Sequence, residues 1–166
     1  MAMRRLVAHD AATAETSDTP EDFSPDPALA QSLGYQIRYA YRMFMRTLAE
    51  ELGPHRVTTG QWSALRVLWR EEGLSQVELA QRMMVEKASL TSVLKAMEAA
   101  GLITRRRNAV DRRKVNIFLT APARRLKSKV FPLVGKINRR ATRRLSAEQV
   151  QQLHSLLARV MMNLQS

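Results

Sequence analysis

The stretch from Arg105 to Lys114 places six cationic side chains and one acid, Asp111, within ten residues. The runs Leu102–Thr104 and Val115–Leu119 flank these charges, and their composition predicts two short strands. Cations at this density suit a polyanion, either nucleic acid or an anionic membrane, although a solubilising surface is the alternative. The sequence therefore predicts a basic hairpin, and double-stranded DNA is its leading partner.

Charge is distributed unevenly along the chain. The 166 residues carry +12 and residues 1–27 carry −4, so residues 28–166 carry +16. Residues 101–145 alone contain fifteen Lys and Arg and a single acid. We interpret residues 1–27, rich in Ala, Thr, Asp, Ser and Pro, as a disordered acidic arm that precedes a basic, ordered region.

Several classes of function lack the residues they require. The chain has no cysteine, and its three histidines are far apart without ligand spacing, so we expect neither a metal site nor a cofactor. A glycine-rich phosphate loop and paired carboxylates in a motif are also missing, which argues against an enzyme. Without a long apolar run or a signal peptide, we expect a cytoplasmic protein with no membrane partner.

The elements that position the basic hairpin begin with two capping boxes. Thr58 to Gln61 predicts a helix that Gly73 closes, and Ser75 to Glu78 predicts a short helix over Gln76–Arg82. Residues 83–85 connect it to a further helix over Glu86–Ala100, ended by Gly101. Two helices joined by a tight turn and followed by a hairpin indicate a winged helix-turn-helix, which we assign to residues 58–119.

The helix over Glu86–Ala100, which is the second helix of this motif, would enter the major groove of DNA. Its outward polar residues can reach phosphates or base edges, and they are Lys87, Ser89, Thr91, Ser92 and Lys95. In the hairpin the candidates are Arg106, Asp111, Arg112 and Arg113, because an arginine at the tip fits a narrow minor groove. An amphipathic helix with a solvated face is the alternative for the first set. Asp111 is either the internal partner of an arginine or a plain turn residue.

Apolar stripes on the helices outside the winged region predict that these helices pack against a partner. A long helix should run from the capping pair Asp26-Pro27 to near Gly53-Pro54. After the hairpin we expect a helix over about 121–144 and a last helix that opens at a capping box of Ser146 and Gln149. The stripe of the last helix contains Val150, Leu153, Leu157, Val160 and Leu164. Residues 28–57 and 120–166 are therefore predicted to form a helical dimerisation region, with packing inside one monomer as the alternative. The fold class is mainly α with a small β-hairpin wing.

The first helix has a second face on which arginines alternate with tyrosines. Guanidinium groups and aromatic rings suit a planar anionic ligand. The candidate ligand residues are Tyr35, Arg38, Tyr39 and Arg42, with Trp62 and Arg66 as walls contributed by the next helix. A solvated face, or extra phosphate contacts, is the alternative.

Several segments together resemble the MarR family of bacterial transcription regulators: Gln61-Trp62-x-x-Leu65, Leu74-Ser75-Gln76-x-Glu78-Leu79-Ala80, Met97-Glu98-x-x-Gly101-Leu102-Ile103, Asp111-Arg112-Arg113 and Leu119-Thr120. The resemblance covers roughly residues 29–164. It implies that Arg113 is the minor-groove arginine and that Asp111 orients it. The chain departs from the family pattern at Met84, Lys87, Ser92, Met97 and Ala123.

The resemblance also implies a homodimer on a palindromic operator. It further implies a repressor released by a small aromatic effector, a phenolic or carboxylic acid or its CoA thioester. Two other hypotheses remain open. A nucleoid-type protein would bind DNA without sequence preference, and a helix over 121–144 could lie on a membrane surface, although it lacks a broad aromatic face.

Overall fold

The computed structural model describes Leu29, residues 31–109 and residues 111–165. Contacts divide the chain into two compact units, Met1–Ala40 and Tyr41–Ser166, which we describe separately. The predicted acidic arm and the capping pair Asp26-Pro27 lie outside the described residues.

In the first unit, the prediction of one uninterrupted helix is wrong at Gln31 and Ser32, where the backbone leaves the helical conformation. Helix α1 spans Leu33–Leu52, and the Ser32 carbonyl accepts its early hydrogen bond from Gln36 N at 3.0 Å. Serine is a favoured residue immediately before a helix, which explains why α1 starts here.

In the second unit, α1 ends at Leu52 and a 3-10 turn over Gly53–His55 follows, with Pro54 inside it. Helix α2, Thr59–Leu68, begins with the predicted capping box: Thr58 Oγ1 accepts from Gln61 N at 3.2 Å, and Gln61 Oε1 accepts from Thr58 N at 2.9 Å. The predicted closure at Gly73 is wrong. Gly73 has a φ of +80° and donates its N–H to Ile117 O, so it leads the chain into the sheet instead.

The helix-turn-helix follows strand β1, Leu74–Ser75. Helix α3 spans Gln76–Met83 behind the Ser75 capping box, and helix α4 spans Lys87–Ala99. The turn between them places Met84 in the left-handed region at φ 54°. Gly101 ends α4 at φ 67°, and the N–H groups of Gly101 and Leu102 satisfy its last carbonyls.

The wing consists of strand β2, Ile103–Arg107, and strand β3, Val115–Leu119, paired antiparallel. The bounds of β3 agree with the prediction, but β2 extends three residues beyond it. Arg105 to Arg107 therefore lie in a strand, opposite Ile117, Asn116 and Val115, and not in the turn. Strand β1, which the sequence did not predict, pairs with β3 and gives the sheet order β1-β3-β2.

Helix α5, Ala121–Ala141, starts at Thr120, whose hydroxyl accepts from Ala123 N and donates to Gly101 O at 2.6 Å. Pro132 lies inside α5. Helix α6, Ala147–Asn163, starts with the predicted Ser146 capping box.

The core packs the helix-turn-helix against the sheet and α5. It includes Leu65 and Leu68 of α2, Leu79 of α3, Leu90, Leu94 and Met97 of α4, Ile117 of β3 and Val130 of α5, all almost fully buried. Trp69 extends this packing, since its Nε1 donates to Ala123 O at 3.0 Å. The core thereby fixes the buried face of α4 and leaves its other face to solvent.

Candidate nucleic-acid interface

The exposed face of α4 carries all five residues that the sequence singled out on this helix. Leu90, Leu94 and Met97 are buried on one side, whereas the polar residues of the other side are exposed: Lys87, Ser89, Thr91, Ser92 and Lys95. The three hydroxyls donate to backbone carbonyls of their own helix or of its cap residue Glu86. In this arrangement the hydroxyls present oxygen lone pairs to a partner, while the two lysines are donors.

One of these residues lies at a flank of the interface. Ser89 lines a groove of about 240 Å³ together with Tyr41 of α1, Gly60 of α2 and Met83 of α3. At this groove α4 packs closely on α2. A Cβ atom added to Gly60 of α2 would lie only 3.2 Å from the Val93 side chain of α4. The start of α4 is thus held against the elements behind it.

The wing loop is organised by Asn108. Its Oδ1 accepts from Asp111 N at 2.9 Å, and its backbone N donates to Lys114 O at 2.9 Å. Lys114 N in turn donates to Asp111 O at 2.9 Å. Val110 lies outside the described residues. These bonds fold the loop back on itself and hold Asp111 beside the cations that follow it.

Asp111 and Arg113 are joined at the wing tip, in the contact that the sequence offered as one of two interpretations of Asp111. Asp111 Oδ1 accepts from both the backbone N and the Nε of Arg113 at 3.1 Å. The Arg113 guanidinium, followed by its backbone N–H, lowers the pKa of the Asp111 carboxyl. The Arg113 side chain is 92% exposed, so the acid orients a guanidinium that remains open to a partner.

The other wing arginines have separate environments. Arg106 of β2 lies over the Phe118 ring of β3, with 5.2 Å between the guanidinium carbon and the ring centroid. Arg105 pairs with Glu98 of α4 at 3.0 Å, which links the wing to this helix. Arg112 is exposed in the loop.

Two polar residues that the sequence did not single out connect the interface to the rest of the second unit. Glu72 accepts from Leu119 N at 3.0 Å and from Arg124 Nε and a terminal guanidinium nitrogen at 2.8 and 2.7 Å. Arg124 is the main cause of the lowered pKa of Glu72. The side-chain amide of Gln76 binds Thr91 on α4. Both contacts join residues far apart in sequence, so a local motif could not reveal them.

The candidate ligand residues are distributed over both units. In the first unit, the rings of Tyr35 and Tyr39 are stacked at 6.2 Å, and Arg38 is exposed. In the second unit, Arg42 is exposed, and Trp62 is 6% exposed, packed on Trp69 and Phe131.

Arg66 lines a depression of about 280 Å³ with Arg70, Glu71 and Arg82. The depression is rich in guanidinium groups, one of which, that of Arg82, is paired with Glu71. Among the described residues, no group of three His, Asp or Glu side chains is placed to hold a metal ion. No helix in the described ranges combines the length and hydropathy needed to span a bilayer.

Comparison with known proteins connects this geometry to a family. The MarR family profile matches residues 57–115, which extend from the start of the helix-turn-helix region into the wing. The transcriptional regulator HosA of Escherichia coli O127:H6 is 30% identical over 136 residues, covering 82% of this chain and 98% of HosA. The chain belongs to the MarR family.

A second relative is the HTH-type transcriptional regulator TtmR of Methylorubrum extorquens, 40% identical over 106 residues. The match covers 63% of this chain and 54% of TtmR, so it spans about half the length of that relative. Among solved structures, the transcriptional repressor CouR bound to a 23-mer DNA duplex has a TM-score of 0.74 at 27% identity, covering 81% of this chain and 96% of CouR.

These similarities confirm the winged-helix fold and the family predicted from the sequence. As a MarR-family protein, the chain is a sequence-specific transcriptional regulator and not an enzyme.

Proposed function

We propose that this chain acts as a homodimeric repressor that binds a palindromic operator through α4 and the wing and is released by a small aromatic acid. The observation that carries the DNA-binding part is the oriented, 92% exposed guanidinium of Arg113 at the wing tip. A narrow minor groove has an enhanced negative potential, and an arginine presented on a rigid loop fits it. Arg106 and Arg112 add positive charge on the same hairpin, and Asp111 serves as the orienting partner.

The major groove would receive α4. Lys87 and Lys95 are donors for phosphates or guanine, while Ser89, Thr91 and Ser92 offer acceptors because their hydroxyl hydrogens are used within the helix. The similarity to CouR, solved on a DNA duplex, supports this arrangement.

A homodimer is supported by the apolar surface of α6. None of its residues is buried by the part of the chain that the structure describes, although Leu153 and Leu157 are 41% and 39% exposed members of an apolar stripe. Such a helix gains stability by packing on a partner helix. A two-fold dimer would present two copies of α4 to half-sites about one helical turn apart, about 34 Å.

The effector would be a small aromatic carboxylate or phenol, or the corresponding CoA thioester. Support comes from the arginines and aromatic rings of the candidate ligand residues, which are Tyr35, Arg38, Tyr39, Arg42, Trp62 and Arg66. Guanidinium groups bind carboxylates in a bidentate manner, and aromatic rings stack on planar ligands. Binding would favour a dimer in which the spacing of the recognition helices no longer matches the operator.

The experiment first selects operator duplexes from a random pool with the full chain. Anisotropy on the selected duplex and on a scrambled one then gives the ratio of specific to non-specific affinity at fixed salt, and light scattering gives the mass of the free protein. A ratio of at least about 10³ supports the repressor, whereas equal affinities support the nucleoid-type alternative.

The effector is tested by titrating aromatic acids and their CoA thioesters into the complex. Release that is lost in Arg42→Ala while DNA affinity is retained supports the assigned ligand residues. Release that persists in Arg42→Ala contradicts that assignment.

A further inference from the structure

Gln76 connects the two helices of the helix-turn-helix through its side-chain amide. It is the first residue of α3, and its Nε2 donates to Thr91 Oγ1 at 2.8 Å and to the Lys87 carbonyl at 3.2 Å, both on α4. A polar group of the supporting helix thus lies beside a residue that we assign to the major groove.

The partners determine the orientation of this amide. The Lys87 carbonyl can only accept, so the NH₂ group of Gln76 must face it; a reversed amide would place two oxygens against each other. The NH₂ group therefore faces α4, where its two acceptors lie 2.8 and 3.2 Å away. The Oε1 atom occupies the other branch of the planar group and accepts no side-chain or backbone hydrogen bond from the described residues.

The Thr91 hydroxyl is committed in a complementary way. A hydroxyl has one hydrogen to donate and two lone pairs to accept with. Its hydrogen is directed to the Lys87 carbonyl at 3.3 Å, and one lone pair accepts from Gln76. Thr91 is exposed, so what remains available to a partner is the second lone pair. Gln76 Oε1 and the Thr91 hydroxyl oxygen therefore offer two acceptors to a partner.

We propose that Gln76 is a specificity-determining residue, and that with Thr91 it selects a base edge carrying an exocyclic amino group. This inference rests on the proposed function, because it requires α4 to lie in the major groove. In that groove adenine N6 and cytosine N4 donate, whereas guanine O6 and N7 and thymine O4 accept. A pair of acceptors attracts the first two edges and repels the others.

The lysines of α4 cannot supply this discrimination. An ammonium group is a donor, so Lys87 and Lys95 favour phosphates or the acceptor edge of guanine. The lysine donors and the acceptors of Gln76 and Thr91 therefore favour opposite base edges, the first those that accept and the second those that donate. A site that lacks an adenine or cytosine at the Gln76 position is disfavoured even when its guanines match the lysines.

The test is an operator selection from random duplexes with the full chain, run in parallel on four proteins. These are the wild type, Gln76→Met, Thr91→Val and the control Gln81→Met. Methionine keeps the length of glutamine but removes the amide, and Gln81 is an exposed glutamine of the same helix. Thermal unfolding of each protein at equal concentration reports whether it is folded.

We expect the wild type to select adenine or cytosine at one position of each half-site. Gln76→Met and Thr91→Val should both lose that preference and bind the wild-type operator roughly five- to tenfold more weakly, with other positions retained. Gln81→Met should leave the profile unchanged. A uniform loss across all positions in Gln76→Met, or an unchanged profile, would overturn the inference. A wild type with no preference anywhere would instead contradict the proposed function itself.

A base analogue provides a readout that does not depend on the folding of any variant. At the selected position, adenine is replaced by purine, or cytosine by 2-pyrimidinone, which removes the amino group alone. The wild type should bind this duplex about as weakly as Gln76→Met binds the natural operator, and Gln76→Met should not distinguish the two duplexes. Wild-type binding that is insensitive to the loss of the amino group would refute the acceptor pair.

Discussion

Replacing Glu72 with alanine should weaken both the fold and the DNA interface, because this carboxylate joins three parts of the second unit. It follows α2 in sequence, accepts from the backbone of β3 at Leu119 and pairs with Arg124 of α5. The strand β3 forms the base of the wing. Loss of the carboxylate should therefore loosen the wing relative to α5 as well as lower the free energy of unfolding.

The expected magnitude follows from two contributions. Leu119 is 3% exposed, and leaving its N–H without an acceptor costs about 1 to 1.5 kcal/mol. The ion pair contributes less, about 0.5 to 1 kcal/mol, because the Arg124 and Glu72 side chains are 54% and 28% exposed. Together the loss should be about 2 kcal/mol, which lowers Tm by roughly 4 to 8 °C for a chain of this size.

The neighbouring acid provides a matched control. Glu71 pairs with Arg82 at 2.8 Å, but the two side chains are 48% and 45% exposed, so Glu71→Ala should cost about 0.5 kcal/mol or less. Unfolding by heat or urea is followed by circular dichroism, and all proteins are compared at one concentration, since a dimer makes Tm concentration-dependent. Anisotropy on the selected operator measures the accompanying loss of DNA affinity.

Acid should narrow the difference between the wild type and Glu72→Ala. The pKa of Glu72 is lowered in the folded state, so the charge-dependent part of its contribution is complete above the unperturbed glutamate value of about 4.3 and disappears as the pH falls through the lower folded pKa. A neutral carboxyl can still accept from Leu119 N. An equal loss of stability in Glu71→Ala and Glu72→Ala at pH 7 would contradict the role given to Glu72. A gap between the wild type and Glu72→Ala that persists unchanged below the folded pKa would contradict it as well.

Four further predictions concern the interface, the assembly and the packing. Arg113→Ala should weaken operator binding about tenfold or more, and Asp111→Ala about two- to fivefold. The double variant should bind no more weakly than Arg113→Ala, because Asp111 acts through Arg113; losses that add in anisotropy would show that Asp111 acts independently. Leu157→Glu, on the exposed stripe of α6, should give a monomer by light scattering, and a persistent dimer would place the interface elsewhere. Trp69→Phe removes the 3.0 Å bond to α5 and should lower the free energy of unfolding by about 1 kcal/mol, whereas an unchanged urea midpoint would show that the bond contributes nothing. Met84→Gly should raise that free energy by about 0.5 kcal/mol, since it relieves a left-handed residue at φ 54°; a decrease would mean that the 92% exposed side chain packs on something in the dimer.

Features of the fold that depend on neighbouring residues could be predicted from the sequence. The capping boxes at Thr58, Ser75 and Ser146 are confirmed, because each needs one residue and another three positions later. Gly101 was correctly expected to end α4, since a left-handed residue there satisfies the last carbonyls. The bounds of β3 were also correct, because a short apolar run is flanked by charge on one side and a helix cap on the other.

Features that depend on distant residues could not be predicted. Strand β1 has two residues and exists because β3 pairs with it, so no periodicity marks it. The extension of β2 to Arg107 likewise follows from its register with Val115 rather than from the composition of an arginine-rich segment. Gln76 was quoted as part of a family motif, but its bond to Thr91 spans fifteen residues and depends on how α3 packs on α4. The roles of the DNA and ligand residues remain predictions.

The acids of the basic region explain how so cationic a chain can fold and still bind a polyanion. From residue 31 onward five of the nine acids form the ion pairs Glu51–Lys136, Glu71–Arg82, Glu72–Arg124, Glu98–Arg105 and Asp111–Arg113. The first four pairs join different segments, so they fix the positions of the elements and neutralise cations that are engaged in the fold. Asp111 differs, because it stays within the wing loop and holds a guanidinium that is almost fully exposed. The remaining positive charge is therefore left for phosphates, and affinity for DNA should fall steeply with salt. Removing Glu98 would free a cation near the recognition helix but loosen the wing, whereas removing Asp111 would leave the fold intact and cost orientation alone.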